Sequence, residues 1–148
     1  MTPPSKNKRK TSRNAVPDRQ LAQAFGFTMD DLSANRAGYL SLAQQWGIPL
    51  ALRRTFGLIA DWLPVSPALP VASVCGRVAL ERQQYLVMSF YHAETIEKHK
   101  LMIADNQLVF HVTPQQYRLI AEGVPYWVYY TPADVVIMSL ERAEVGCG

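Results

Sequence analysis

The chain has 148 residues and a formal net charge of +3, with 49% hydrophobic and 18% charged residues. This composition excludes wholesale disorder and allows one domain with its own core. The two cysteines, Cys75 and Cys147, have no metal-ligand spacing and indicate no disulfide framework. We expect Cys75 to be a buried small hydrophobe and Cys147 to be a free thiol, which favours a reducing, cytoplasmic location.

Residues 1–14 are predicted to be a disordered basic tail without acidic residues. Its cations are Lys6, Lys8, Arg9, Lys10 and Arg13. They are a third of the 15 basic residues in the chain, which also has 12 acidic ones, so the remainder is slightly acidic. The tail is either an electrostatic arm for nucleic acid or anionic lipid, or a solvated leader without a specific partner. It lacks the apolar core of a secretion signal.

Three short helices are predicted next, at residues 17–25, 29–36 and 42–46. Thr28 and Asp31 have the spacing of a capping box, Phe27 and Leu32 that of a hydrophobic staple, and Gly38 ends the second helix. This succession has neither the length nor the basic side chains of a DNA-recognition helix.

Residues 49–63 form the longest predicted helix, with an apolar stripe at helical spacing. The stripe, our candidate membrane or partner face, consists of Leu52, Phe56, Ile59, Trp62 and Leu63. Either it packs on the rest of the protein, or it lies in a membrane interface with Arg53 and Arg54 at the headgroups. The segment is too short and too charged to cross a bilayer.

After a Pro-rich linker at residues 64–70, the apolar pattern changes to a period of two. Strands are predicted at residues 71–80, 85–91, 100–104, 108–112, 126–130 and 135–140, with a helix at 114–122. We expect an α+β fold: a helical segment (15–63), a small antiparallel, partly open β-barrel of SH3-like or OB-like type with one inserted helix (71–142), and a C-terminal tail (143–148).

One strand has very high β-propensity and bulky side chains on both faces. It consists of Tyr126, Trp127, Val128, Tyr129 and Tyr130. Such a strand is usually central and covered on both sides. Its aromatic rings could also stack on bases, but few Lys or Arg residues accompany them. We therefore interpret it as the structural spine of the fold.

The segment from His92 to Lys100 contains most of the clustered ionisable groups. His92 and His99, with Glu94 and Glu97, could hold a metal in principle, but an exposed loop between strands fits the pattern better. The sequence has no Gly-rich phosphate loop, and Cys75 has no base near it in sequence. We expect no catalytic residues, no metal and no cofactor.

Two stretches carry a resemblance. Residues 31–41, from Asp31 to Ser41, resemble the D-L-x-A-N-R-A-G-x-L-S motif of a group of uncharacterised bacterial proteins. Residues 126–132, followed by Ser139 and Glu141, resemble the Y-x-V-Y-Y-T-P…L-S-x-E ending of the same group. The resemblance implies a two-helix membrane hairpin between the motifs and assigns no activity. Here residues 42–70 have room for only one amphipathic helix and a linker.

These patterns predict a non-enzymatic binding or assembly module that faces the cytoplasm and contacts a protein partner or a second copy of itself. One alternative is a peripheral protein on the inner face of the membrane, attached through residues 49–63 and the basic tail. Another is nucleic-acid binding through the tail alone.

Overall fold

The computed structural model describes residues 18–62 and 70–144. The expectations for the basic tail, for Leu63, for most of the Pro-rich linker and for the last residues of the C-terminal tail lie outside these residues.

Four short helices precede the strands: α1 (Arg19–Phe25), α2 (Met29–Arg36), α3 (Leu42–Gln45) and α4 (Arg53–Ile59). A fifth, α5 (Pro114–Leu119), follows later in the chain. The capping box of α2 is present as predicted, because Thr28 Oγ1 accepts from the N–H of Asp31 at 3.2 Å and Asp31 Oδ2 accepts from the N–H of Thr28 at 2.9 Å. The predicted long helix is instead α4 flanked by 3-10 turns at Leu50–Leu52 and Ala60–Trp62.

Six strands form two antiparallel sheets: β1 (Ala72–Arg77), β2 (Ala79–Met88), β3 (Ala93–Ile103), β4 (Leu108–Val112), β5 (Pro125–Thr131) and β6 (Val136–Arg142). One sheet has the order β1-β5-β6 and the other β2-β3-β4. The predicted strand at 71–80 is therefore wrong as a single strand, because the chain changes sheets at Val78. Val78 is paired with neither β5 nor β3. Its backbone bonds instead to Gly123 and Val124, in the segment before β5.

The segment from His92 to Lys100 is mostly strand β3 and not the predicted loop. Strand β3 makes ten pairs with β2, from Met88↔Ala93 to Ala79↔Met102. The turn between β3 and β4 contains Asp105 and Asn106 with positive φ, as their side chains predict.

The two sheets and the helices share one hydrophobic core. Leu21, Phe27 and Leu32 of the helical segment belong to the same cluster as Leu101 and Phe110 of β3 and β4. The α+β class is confirmed, with two small antiparallel sheets, but the described strands form no closed barrel.

Strand β5 occupies the middle of its sheet, between β1 and β6. Tyr126, Val128 and Tyr129 are fully buried, although Tyr129 lies on the opposite face from the other two. Trp127 and Tyr130 are half-buried. The sheet is therefore covered on both sides at β5, and the helices supply the second cover.

Cys75 is disulfide-bonded, so the expectation of a thiol at this position is wrong. The other cysteine of the chain, Cys147, lies outside the described residues. Period-two patterning places residue 75 in a strand but cannot show whether its sulfur is bonded.

Candidate functional site

A buried ion pair joins the end of α2 to β6. Arg36 donates from Nε to Glu141 Oε2 at 2.9 Å and from Nη2 to Glu141 Oε1 at 2.7 Å, which is the bidentate geometry of a strong charge-assisted pair. The hydroxyl of Tyr129 donates to the same Glu141 Oε2 at 2.7 Å. The carboxylate thus has three donors and is only 4% exposed.

The hydrogen bonds to Glu141 raise the pKa of Arg36 above its ordinary value, against the opposing effect of burial. The guanidinium therefore stays protonated throughout the physiological pH range. A permanently charged pair of this kind is suited to holding two elements together rather than to moving a proton.

A second, neutral group of side chains lies on the same side of β6. Asn35 Nδ2 donates to Gln44 Oε1 at 2.8 Å and to the carbonyl of Tyr39 at 3.0 Å. Ser139 Oγ donates to Asn35 Oδ1 at 2.6 Å, and both residues are about 1% exposed or less. These bonds fix α3 against α2 and both against β6, because buried polar groups are costly unless they are paired.

The third group ties α4 to α2. Arg53 Nη1 donates to Asp31 Oδ1 at 3.0 Å, and Ser41 Oγ donates to the same oxygen. The Asp31 side chain is 1% exposed and that of Arg53 is 14% exposed. Because Asp31 also caps α2, one carboxylate positions the start of α2, the start of α3 and the inner side of α4.

A cavity of about 270 Å³ opens beside this third group, between α2 and α4. Asp31, Ser41 and Arg53 line its polar wall, and Phe56 and Gly57 line its apolar wall. Asp31 and Arg53 on this wall are already paired with each other, although Arg53 Nε has no hydrogen-bond partner among the described residues. Asp30, which is exposed, also lines the cavity. Most of the polar side chains that line this cavity therefore already bond to each other.

The opposite side of α4 is apolar and exposed. Among the described residues of the predicted stripe, Phe56 alone is buried, at 7% exposure, whereas Trp62 is 85% exposed and neighbouring Leu58 79%. We define the α4 outer face as Leu52, Leu58, Ile59 and Trp62, all four of which are exposed. Arg54, also exposed, lies two residues after Leu52 in sequence.

The ion pair explains this orientation. An α-helix that buried the whole predicted stripe would turn Leu52 and Ile59 inward together with Phe56. Instead, the ion pair with buried Asp31 holds Arg53 on the inner side of the helix. The helix is rotated accordingly, and much of the predicted stripe faces solvent.

The histidines do not converge on a site. His99 is buried and packs edge-on against the ring of Tyr117, with centroids 4.8 Å apart. His111 lines a separate shallow cavity with Gln116 and Asp134. Within residues 18–62 and 70–144, three or more His, Cys, Asp or Glu side chains nowhere come close enough together to hold a metal ion.

Ser89, His92 and Glu94 superficially resemble a catalytic triad at the tip of the β2–β3 hairpin. Ser89 Oγ lies 3.3 Å from His92 Nδ1, and His92 Nε2 lies 3.8 Å from Glu94 Oε2. The second distance is too long for a hydrogen bond, and the His92 and Glu94 side chains are 68% and 65% exposed. An activated serine needs an oriented base in a shielded site, which this arrangement lacks.

Polar residues from both resembling stretches contribute to the buried contacts described above. Asp31, Asn35 and Arg36 come from the first stretch, and Tyr129 and Glu141 from the second. Sequence reasoning assigned Asp31 to a helix cap and Tyr129 to the structural spine, but it did not predict that these residues meet in one network. The signal available in the sequence was the period of two in β6, which places Ser139 and Glu141 on the same face of the sheet. Tyr129 on the neighbouring strand pairs with Ser139 and shares that face.

No protein-family model, curated protein or solved structure matches this chain. Among the described helices, all are too short to cross a membrane.

Proposed function

We propose that this chain is a non-catalytic attachment module that binds an anionic membrane surface through the α4 outer face. The observation that supports this proposal is the near-complete exposure of Leu58 and Trp62 on a helix whose inner side is held by the Asp31–Arg53 ion pair. An apolar helix face that is kept rigidly outward is typical of a surface that docks on something else.

The chemistry of the face favours a lipid interface. Tryptophan is enriched at membrane–water boundaries, and arginine beside an apolar face is typical of helices that lie in the interface plane. The segment from Leu50 to Trp62 would span roughly 20 Å along such a surface. The proposal specifies an anionic lipid surface and not a compartment, since the disulfide at Cys75 disfavours the cytoplasm.

The α4 outer face alone is expected to bind a membrane only weakly, so tighter binding requires a second contact. Burying one large apolar side chain contributes about 1.5–3 kcal/mol, so the four side chains of the outer face contribute on the order of 5 kcal/mol once partial burial is allowed for. That alone corresponds to a dissociation constant in the submillimolar range. The five cations of residues 1–14 would add about 1 kcal/mol each near an anionic surface.

Flotation with lipid vesicles tests the proposal. The full chain is expected to float with phosphatidylserine-containing vesicles at low salt, and the Leu58→Ser/Ile59→Ser variant is expected to remain in the dense fraction. The matched control, Val109→Ser/Val136→Ser, removes two exposed apolar side chains elsewhere and should float like the parent. Deletion of residues 2–14 should weaken flotation and reduce its salt dependence.

Failure of the parent chain to float at low salt would reject the membrane proposal and leave a protein partner as the ligand of the α4 outer face. Equal loss in the Leu58→Ser/Ile59→Ser variant and in the control would also reject it. Salt-dependent retention on RNA or DNA that disappears with residues 2–14 would instead support the nucleic-acid alternative.

We also propose that the two sheets are arranged as a partly open barrel of the SH3-like or OB-like kind. In support, β1 contacts β3 and β4 contacts β6 across the core, and the Phe110 and Tyr130 rings meet edge to face at 5.4 Å. An experimental structure that shows the two sheets separated at both of these contacts would contradict this arrangement.

A further inference from the structure

The hairpin of β2 and β3 extends beyond the rest of its sheet. Pairing of β3 with β4 ends at His99↔Val112, whereas pairing with β2 continues to Met88↔Ala93. The outer part is therefore a two-stranded ribbon, and an isolated two-stranded ribbon is at best marginally stable in water. It also leaves apolar residues 85–88 exposed, together with Phe90, Tyr91 and Ile96.

The tip of the ribbon lacks the residues that short hairpin turns most often contain. Short hairpin turns favour Asn, Asp and Gly, which supply the backbone conformation at little cost. Here the two central residues are Phe90 and Tyr91, 103% and 96% exposed. The turn is closed by Ser89, whose N–H donates to the carbonyl of His92 at 2.9 Å. The aromatic pair is thus unnecessary for the turn and available for contact.

The outer edge of β2 has unused backbone groups. In an antiparallel pair, alternate residues bond to the neighbouring strand and the others point away. Ser89 bonds to β3, whereas the N–H of Leu80 points away and is capped by Glu122 Oε2 at 2.8 Å. By this alternation the N–H and C=O groups of Gln84, Leu86 and Met88 also point outward, and no described residue caps their N–H groups as Glu122 caps that of Leu80.

The two edges of the ribbon differ in charge. The outer half of β2, residues 83–88, contains no charged residue, glycine or proline, and its pairing with β3 has no bulge. The opposite edge carries Glu94, Glu97 and Lys98. Charges, prolines and bulges are the devices that keep exposed edges from pairing with another chain. Charges are present on the β3 edge, whereas residues 83–88 on the β2 edge have none of these devices.

We propose that the β2 edge pairs antiparallel with the β2 edge of a second copy, so that the two β2-β3-β4 sheets become one continuous sheet. A two-fold axis at Leu86 would place Gln84 opposite Met88 of the second copy, and no like charges would face each other along residues 83–89. A lipid surface cannot occupy this edge, because hydrocarbon leaves backbone N–H and C=O groups unpaired.

The apolar surface is large enough for such a dimer. Phe90 and Tyr91 alone expose roughly 150–250 Å² each. With residues 85–88 and Ile96, the patch is on the order of the 800 Å² that each partner buries in an interface of standard size.

Sedimentation velocity of the full chain over a range of concentrations, without lipid, tests the proposal. The parent is expected to form a concentration-dependent dimer. Leu86→Lys places a charge on the free β2 edge and should weaken dimerisation at least tenfold. Thr95→Lys is the matched control, because Thr95 is the cross-strand neighbour of Leu86 and lies on the same face but on the already charged strand. It should dimerise like the parent.

Circular dichroism establishes that both lysine variants are folded. Amide exchange gives a second readout: the N–H groups of Gln84, Leu86 and Met88 should become more protected as the concentration of the parent rises, and those of Tyr85 and Val87 should change little. A parent that is monomeric at every concentration would overturn the proposal. So would a dimer that Leu86→Lys leaves intact, since that dimer would use another surface.

Discussion

Arg36 and Glu141, 105 residues apart in the chain, form a bidentate ion pair that fastens the end of α2 to the last strand. Because Tyr129 donates to the same carboxylate, the pair also locks the helices to the central strand of the β1-β5-β6 sheet. This pair and the Asp31–Arg53 pair determine how the helical segment sits on the sheets, and hence which side of α4 faces outward.

Replacing one partner of the Arg36–Glu141 pair should lower the free energy of unfolding. Arg36→Met leaves the buried Glu141 carboxylate without its counter-charge and is expected to lower the free energy of unfolding by about 3 kcal/mol, as measured by urea denaturation. The double variant Arg36→Met/Glu141→Leu removes both charges and should lose clearly less than the sum of the single changes. A single variant within about 0.5 kcal/mol of the parent would show that the pair is not a structural fastening.

Two adjacent tyrosines of β5 should respond differently to loss of the hydroxyl. Tyr129→Phe removes a donor from buried Glu141, and we expect a loss of about 1–2 kcal/mol. Tyr130 is half-buried and makes its ring contact with Phe110, so Tyr130→Phe should cost less than about 0.5 kcal/mol. Thermal or urea unfolding of the two variants side by side measures the difference, and equal losses would contradict the assigned role of Tyr129.

The Asp31–Arg53 pair should control the order of α4. Asp31→Asn keeps an oxygen that can cap α2 but removes the charge that holds Arg53. We expect amide exchange in residues 53–62 to accelerate at least tenfold, which corresponds to about 1.4 kcal/mol of local stability. The control is Asp30→Asn, which removes the same charge from an exposed neighbour on the same helix and should leave exchange unchanged. Similar exchange rates in both variants would show that the Asp31–Arg53 ion pair does not control the order of α4.

The bonded state of Cys75 can be measured directly. Alkylation of the denatured chain without reductant should leave Cys75 unmodified, and prior reduction should make it reactive. Reduction is also expected to lower the free energy of unfolding by about 2–4 kcal/mol, the usual effect of losing a native disulfide. Labelling of Cys75 without reductant would show that this residue is a free thiol and would contradict the disulfide.

Local signals in the sequence predicted some elements well. The capping box placed α2 at its observed bounds, and alternating apolar residues placed β4 and the core of β5. The inner part of β3 was predicted, but its outer part was missed because it is exposed on both faces, so that its polar residues have the pattern of a loop. Local patterning cannot supply information that comes from a partner strand.

The polar network could not be predicted for a related reason. Arg36 reads as a helix C-terminal cation and Glu141 as a residue at the end of a strand, and neither reading identifies the other as its partner. The rotation of α4 follows from Arg53 meeting Asp31, again a contact between separate elements. Periodicity indicated an amphipathic helix but not which of its sides would be held inward.

The most direct test of attachment through the α4 outer face uses the three tryptophans of the chain as reporters. The chain is labelled with fluorotryptophan, its fluorine resonances are assigned by single Trp→Phe variants, and spectra are recorded with and without phosphatidylserine-containing vesicles. Attachment through this face predicts that the Trp62 resonance shifts or broadens selectively, while that of half-buried Trp127 stays unchanged. A Trp62 resonance that is unaffected by vesicles to which the chain is bound would contradict it.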